Sequence, residues 1–496
     1  MRSRDGQRRP GRRSGRLCAL GWLAAATGFA CAPAPAPLTP APRRPVVLST
    51  EYDDQRAGEQ AKGEVAATLG LVRDPKLQEL IDAVGKRLIA HAPPRTFAYS
   101  FGVVDQWPPN AFTLPGGAVY VSRGLLVLSS SEDELANVLA HEIMHAAARH
   151  AAARQSVAGG TNPFAMILTS PIYLAAYSRD QEREADRGGQ GMAAAAGYDP
   201  AGMNDFLASL RNIELLLAGA SRMPGFFDTH PPTNERTAST ATRAQQLGWK
   251  RQPGVTRNRE DYLRHLEGLV VGENPAEGVF ENGRFLHPDL DFMLRVPDGW
   301  RFVNTPAALG AISPDGRARV MLELAGEGQD PAVFADAFLA QRAEEIHAVI
   351  EERRALSING LPAVELRGTA PGPSGAVAGK LTWIAHGGRV YWLSNLVQGP
   401  GAERALARGD VFARSFRPLT PADRASIRVR RLRLATAHAG ESLADFSRRT
   451  GNDWDAQHTA IANGLFASAR LSEGQLLKIA VIEPYAPSDA SEPTPR

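Results

Sequence analysis

The sequence predicts a multidomain protein. A mainly α domain with a small β-sheet is expected over residues 51–252, an α+β accessory domain over 278–418, and a small βααβ module over 428–482. Three observations predict this. Apolar residues recur at helical spacing up to about Trp249, short β-patterned runs between turns take over from Gly278, and the last folded stretch reads strand, helix, helix, strand. With 496 residues, 43% of them hydrophobic and 22% charged, the chain is too long for one ordinary domain and has a globular composition.

The N-terminal segment reads as a targeting signal, over 1–31. Seven arginines (Arg2, Arg4, Arg8, Arg9, Arg12, Arg13 and Arg16) precede the apolar run "LCALGWLAAATGFA", whose 14 residues suit a signal peptide and are too few to span a bilayer permanently. The formal charge of +3 belongs to this segment. Without those arginines and Asp5 the balance is 49 basic to 52 acidic side chains, which gives no reason to expect a nucleic-acid partner. The chain has two cysteines, Cys18 inside the apolar run and Cys31 directly after it, so a processed chain has no internal disulfide. Cys31 resembles a bacterial lipoprotein attachment site, although Gly28 stands where that pattern prefers leucine. The expectation is an exported, periplasmic chain anchored to the outer membrane by a lipid on Cys31. Residues 32–50 open with six prolines in "APAPAPLTPAPRRP" and read as an extended tether.

In the first domain, "DPKLQELIDAVGKRLIAH" sets Leu77, Leu80, Ile81, Val84 and Leu88 on one helical face. "FAYSFGVVD" reads as a strand, and a turn at Pro115–Gly117 leads into a second strand at Val119–Val121. "SSSEDELANVLAHEIMH" starts a helix, with Ser131 and Glu134 in capping-box positions and acids filling the first turn. Further helices follow "DPAG" at 199–202, with Met203, Phe206, Leu207 and Leu210 as the apolar stripe, and "THPPTNER". Residues 253–277 read as a linker and 483–496 as a disordered tail. The run "FAMILTSPIYLAAY" at 164–177 is interrupted by Pro171 and reads as core or a cleft lid. In the accessory domain His287, His347 and His386 are isolated and read as structural.

The chemistry is concentrated in "HEIMHAAARH", residues 141–150. Positions four apart share a helix face, so His141 and His145 aim two imidazoles at one point, with Glu142 beside it, placed to take a proton from water. On a continuous helix His150 is turned by about 140° from His145, and is expected at the surface or behind the ligands. The third ligand is sought in "SRDQEREADRGG". Glu182 completes a His₂Glu zinc site that leaves one position for water, in preference to Glu184. Asp186, one turn on, is placed to accept a hydrogen bond from a ligand imidazole. Ala185, Gly188 and Gly189 argue for close helix packing there.

"HEIMHAAARH" followed by "EREAD", with "NAFTLPGG" before and "DTHPPTNER" after, resembles the HtpX-like and BepA-like zinc metallopeptidases, relatives of the CAAX prenyl endopeptidases and mitochondrial Oma peptidases. The resemblance spans about 51–249 and implies a gluzincin-type helical fold. It implies one Zn²⁺ per chain on His141, His145 and Glu182, with Glu142 catalytic. It places His230 beside the active site, either binding the metal in a resting form or steadying the transition state, and puts Arg236 at the family's motif arginine, the other candidate for steadying developing charge. It assigns Asn110, Phe112, Gly117 and Val119 to the edge lining a substrate cleft. On this reading an extended peptide pairs with the strand at 117–122, and the partners are unfolded or misassembled envelope proteins. The tetratricopeptide repeats of BepA-like proteins are absent here. The 428–482 stretch resembles a LysM module in Gly440–Leu443, Asn463–Gly464 and Gly474–Ile479, which implies peptidoglycan as a further partner. Two other readings remain open: a metal-binding assembly factor without proteolysis, and a hydrolase of peptidoglycan peptides.

Overall fold

A computed structural model describes residues 50–157, 176–216, 225–255, 258–306, 308–372 and 375–487, with side chains at 154–157 left aside. The expected signal, Cys31, the proline tether up to residue 49, and 164–175 of the apolar run lie outside the described residues. Among the described residues no helix is long and apolar enough to cross a membrane.

The first domain opens with α1 (Glu51–Leu69), capped by a reciprocal Thr50–Asp53 pair, and α2 (Pro75–Ile89), which starts on Pro75 with Asp74 accepting from the first backbone N–H groups. The five apolar side chains assigned to one face of α2 are all buried. Three short strands follow: β1 (Ser100–Val104), β2 (Ala111–Thr113) and β3 (Ala118–Ser122). Their order is β1-β3-β2, with β1 parallel and β2 antiparallel to β3. The strand at 117–122 is therefore the middle of the sheet, and both its edges are already paired. This corrects the expectation that it offers an edge to substrate. Val119 is buried, opposite Phe101 on one side and Thr113 on the other. Gly117 turns the chain at φ 90°, and a Cβ there would stand 2.6 Å from the Phe97 ring. The outer strands are β1 and β2, and β2 carries Phe112.

Next come α3 (Arg123–Leu128), α4 (Glu132–Ala147), α5 (His150–Val157), α6 (Arg179–Ala195), α7 (Gly202–Leu216), α8 (Phe226–Thr229) and α9 (Asn234–Gln246). Fourteen of the sixteen residues of α4 are buried, so it is the central helix of the domain. The 253–277 stretch, expected as a linker, packs as part of this body. Its helix α10 (Arg259–Leu266) buries Tyr262, Leu263 and Leu266 in the same apolar cluster as α2 and α4.

The accessory domain is α+β. A seven-stranded antiparallel sheet has the order β10-β11-β12-β13-β9-β8-β7, where β7 is Arg301–Asn304, β8 Ala308–Ile312, β9 Ala318–Glu327, β10 Val349–Ile358, β11 Leu361–Ala370, β12 Val377–His386 and β13 Arg389–Gln398. Helix α11 (Pro331–Phe338) contributes Ala335 to a cluster with Trp383, and α12 (Ala402–Arg414) contributes Leu406 and Phe412 to a second cluster with Leu393. A smaller sheet joins β4 (Val279–Glu281), β5 (Arg284–His287), β6 (Phe292–Arg295) and β14 (Arg417–Pro418).

After α13 (Pro421–Ser426) the chain runs β15 (Arg428–Thr436), α14 (Leu443–Thr450), α15 (Ala456–Ala462) and β16 (Leu476–Pro484), with β15 and β16 antiparallel. Residues 483–487 of the expected disordered tail are described, and they are packed rather than disordered at 483 and 485. Glu483 lies in β16, 2.7 Å from Arg433, and the Tyr485 hydroxyl donates to Asp289 at 2.8 Å.

Candidate metal centre

The helix that bears the motif is held at its N-terminus. Ser131 Oγ accepts from the Glu134 N–H at 3.2 Å, and a Glu134 carboxylate oxygen accepts from the Ser130 N–H at 3.0 Å. This is a capping box shifted by one residue on its second arm. Glu132, Asp133 and Glu134 complement the positive end of the helix dipole. Helix α6 starts on a second capping box, Ser178 with Gln181. It approaches α4 through glycine: a Cβ at 189 would lie 2.9 Å from the His141 backbone nitrogen. The small residues singled out in the sequence are what brings Glu182 to the histidines.

His141, His145, Glu182 and His230 offer ligand atoms that all lie within 4.8 Å of one another, and all four are buried. His145 Nε2 is 3.0 Å from His141 Nε2, and His141 Nε2 is 3.3 Å from His230 Nδ1. Glu182 Oε1 is 2.9 Å from His230 Nδ1 and 3.3 Å from His145 Nε2. Donors sharing one tetrahedral zinc at ~2.0–2.1 Å stand roughly 3.3–3.4 Å apart, so the spacing and the N₃O chemistry fit the ion. Glu142 is also fully buried, and its Oε1 lies 3.3 Å from His230 Nε2.

The imidazoles of His141 and His230 are held neutral, as ligands must be. Burial lowers His141, and burial pushes His230 down to about 4 against the pull of Glu182. Burial alone would raise Glu182, yet His230, His145 and His141 hold it well below the usual carboxylate range. Asp186 Oδ1 lies 3.0 Å from His141 Nδ1, and His141 Nε2 faces the cluster.

Arg236 is placed differently from expectation. Its Nε and Nη2 donate to the two Asp186 oxygens at 2.6 and 2.9 Å, Nη1 reaches the His230 carbonyl at 3.4 Å, and Nη1 also contacts Glu182. With its donors engaged on two buried carboxylates, it braces the ligands rather than facing a reacting carbonyl. Asn110 donates its backbone N–H to Ser122 at 2.8 Å, and Phe112 stacks on Tyr120 within the sheet.

One neighbour escaped the sequence reading, and His150 takes the second of the two places expected for it, behind a ligand. Tyr177 stacks on His145, with ring centroids 3.8 Å apart. His150 is buried, and its Nδ1 lies 2.9 Å from His145 Nδ1. Helix α4 ends at Ala147 and Arg149 adopts φ 57°, so the chain breaks and swings His150 back toward His145. The 140° rotation assumed an unbroken helix.

Residues 72–175 and 164–244 match the family model "Peptidase family M48". The beta-barrel assembly-enhancing protease of Escherichia coli (strain K12) is 28% identical over 256 residues, which is 47% of this chain and 50% of that protein. The putative beta-barrel assembly-enhancing protease of Vibrio cholerae is 33% identical over 200 residues, 36% of this chain and 41% of that protein. The mitochondrial metalloendopeptidase OMA1 of Schizosaccharomyces pombe is 29% identical over 170 residues, 32% of this chain and 50% of that protein. The chain thus spans half or less of the length of these relatives. Over residues 72–244 the chain is therefore similar to peptidase family M48, and within that span it carries a buried histidine–glutamate set whose spacing fits zinc.

Proposed function

We propose that the protein is a zinc-dependent endopeptidase of the bacterial cell envelope that cleaves unfolded or misassembled envelope proteins. The observation that carries this is the convergence of His141, His145, Glu182 and His230 beside the buried Glu142. His141, His145 and Glu182 would hold the ion. Bound zinc supplies Lewis acidity, which makes hydroxide available near neutral pH and polarises a peptide carbonyl. Glu142 takes a proton from the attacking water and passes it to the leaving amine. Asp186 fixes the tautomer of His141, and Arg236 keeps Asp186 and Glu182 ionised in a buried setting. His230 occupies the fourth corner of the ligand set, so it must give up that corner to admit water and substrate. An extended substrate would pair through main-chain hydrogen bonds with the outer strand β2, beside Asn110 and Phe112. Such pairing reads little sequence and favours unfolded segments. Names of relatives that refer to β-barrel assembly support an envelope setting. Export, lipidation at Cys31, outer-membrane anchoring, a gluzincin-type fold and a LysM-like module that meets peptidoglycan complete the reading.

The test is digestion of casein by the full chain, with zinc content measured beside a Glu142→Gln control. Zinc bound in both and cleavage lost in the variant is the expected result; equal cleavage by the variant defeats the mechanism. A second reading, a metal-binding assembly factor without proteolysis, is favoured by the closed four-residue ligand set. Zinc binding with no cleavage of casein selects it.

A further inference from the structure

Lys478 lies in the C-terminal βααβ stretch but ends in the peptidase domain. Its side chain is fully buried, and its ammonium donates to the carbonyls of Val127, Leu128 and Ser129 at 2.8, 3.2 and 2.6 Å, with Ser130 Oγ at 3.4 Å. Val127 and Leu128 lie in the last turn of helix α3, where a helix offers its terminal carbonyls no N–H of its own, and Ser129 is its C-cap. The three residues that follow, 129–131, form the joint into α4, the helix that carries His141, Glu142 and His145. Glu134 grips the same joint from the other side through the Ser130 N–H.

The rest of the interface is equally specific. Asn463 Oδ1 accepts from the Lys478 N–H at 2.8 Å and from Arg259 Nη2 at 2.8 Å, and Asn463 Nδ2 returns to the Lys478 carbonyl at 2.9 Å. Arg259 Nη1 donates to the Leu476 carbonyl at 2.7 Å, and Ser130 Oγ donates to the Ala462 carbonyl at 3.3 Å. Leu432, Trp454, Ile461, Ala462 and Ala480 belong to the same apolar cluster as α2 and α4. Asn463, expected as part of a glycan-module signature, reaches the peptidase domain through Arg259. Burying an ammonium is costly unless it is fully hydrogen-bonded. Burial does push Lys478 well below the usual lysine range, against the pull of Glu134.

We propose that residues 428–484 form an intramolecular brace and that Lys478 is a positioning residue for the metal-bearing helix α4. The proposal rests on the reading that α4 supplies two zinc ligands and the base. Withdrawing the ammonium frees the joint, and small displacements of a reacting constellation cost rate more than substrate binding.

The test is Lys478→Met in the full chain, with thermal unfolding, zinc affinity by chelator competition, and kcat and KM on labelled casein. The expected result is a folded protein whose kcat falls about tenfold with KM within about twofold, and whose zinc affinity is weakened. A lower Tm with unchanged kcat and zinc affinity overturns the proposal, because the contact is then only structural. If Lys478→Met does not fold, Ser130→Ala and Glu134→Gln carry the same readouts, and no effect in both overturns it. A chain that digests no casein defeats the proposed function, while the zinc-affinity measurement still decides the brace.

Discussion

The Nδ1 atom of His141 lies 3.0 Å from a carboxylate oxygen of Asp186. Arg236 holds both oxygens of that carboxylate, so the imidazole, the acid and the guanidinium form one rigid chain behind the ligand cluster. Asp186→Asn keeps the shape but presents an amide, whose N–H₂ competes with the imidazole proton and loosens the tautomer. Zinc affinity measured by chelator competition is expected to fall about 10–100-fold, in the range found for such partners of metal ligands. An unchanged affinity would show that the tautomer is set elsewhere.

His150 does for His145 what Asp186 does for His141. His145 Nε2 faces the cluster and its Nδ1 lies 2.9 Å from His150 Nδ1, so with a metal on Nε2 the Nδ1–H would donate to His150, whose Nε2 faces Glu184 at 3.7 Å. His150→Ala is expected to weaken zinc binding by roughly tenfold or more. His150→Asn, which restores a polar partner at that position, is expected to recover part of the loss. Equal affinities in all three proteins would remove His150 from the site.

Helix periodicity made the centre of this site legible. The i, i+4 spacing of His141 with His145, and of Glu182 with Asp186, put each pair on one face, and the small residues of α6 signalled the close approach that joins them. The parts that escaped depend on contacts distant in sequence. The break after α4 places Arg149 at φ 57° and is tied down by its 2.6 Å ion pair with Asp54 in α1, 95 residues away. No local pattern around "AAARH" reports that partner. The middle position of β3 follows from parallel pairing with β1, and short strands of five residues or fewer carry no signal of which neighbour takes which side. His230 was reached through the resemblance, not through spacing. The docking of the C-terminal stretch depends on a lysine that, by its type, belonged on the surface.

Glu277 gives a pH dependence away from the metal. Burial, with Asp105 and Asp289 nearby, pushes its carboxyl up to about 7 from an unfolded value of 4.5. A carboxyl whose folded value is raised binds more protons in the folded state. Its stabilising share is therefore full below about pH 4.5 and is lost as pH climbs through 7. Glu277→Gln removes that loss. The variant is expected to match the unmodified chain near pH 4.5 and to exceed it at pH 8 by on the order of 1–2 kcal/mol, discounted for partial exposure. Urea unfolding at the two pH values checks this, and a difference that does not change with pH would sink it.

Gly189 tests whether the distance between α4 and α6 sets the ligand geometry. A Cβ there would stand 2.9 Å from the His141 nitrogen and 3.0 Å from its Cα, both backbone atoms that have no room to yield. Gly189→Ala therefore drives α6 outward, and Glu182, two helical turns toward the N-terminus on the same face, moves with it. Overpacking of this kind costs about 1–3 kcal/mol of stability, and the chain is expected to stay folded by circular dichroism while losing at least about tenfold in zinc affinity. Gly191→Ala is the control, because a Cβ there meets only the Arg243 guanidinium at 3.8 Å. If both variants bind zinc alike, close helix approach is not what carries Glu182 to His141 and His145.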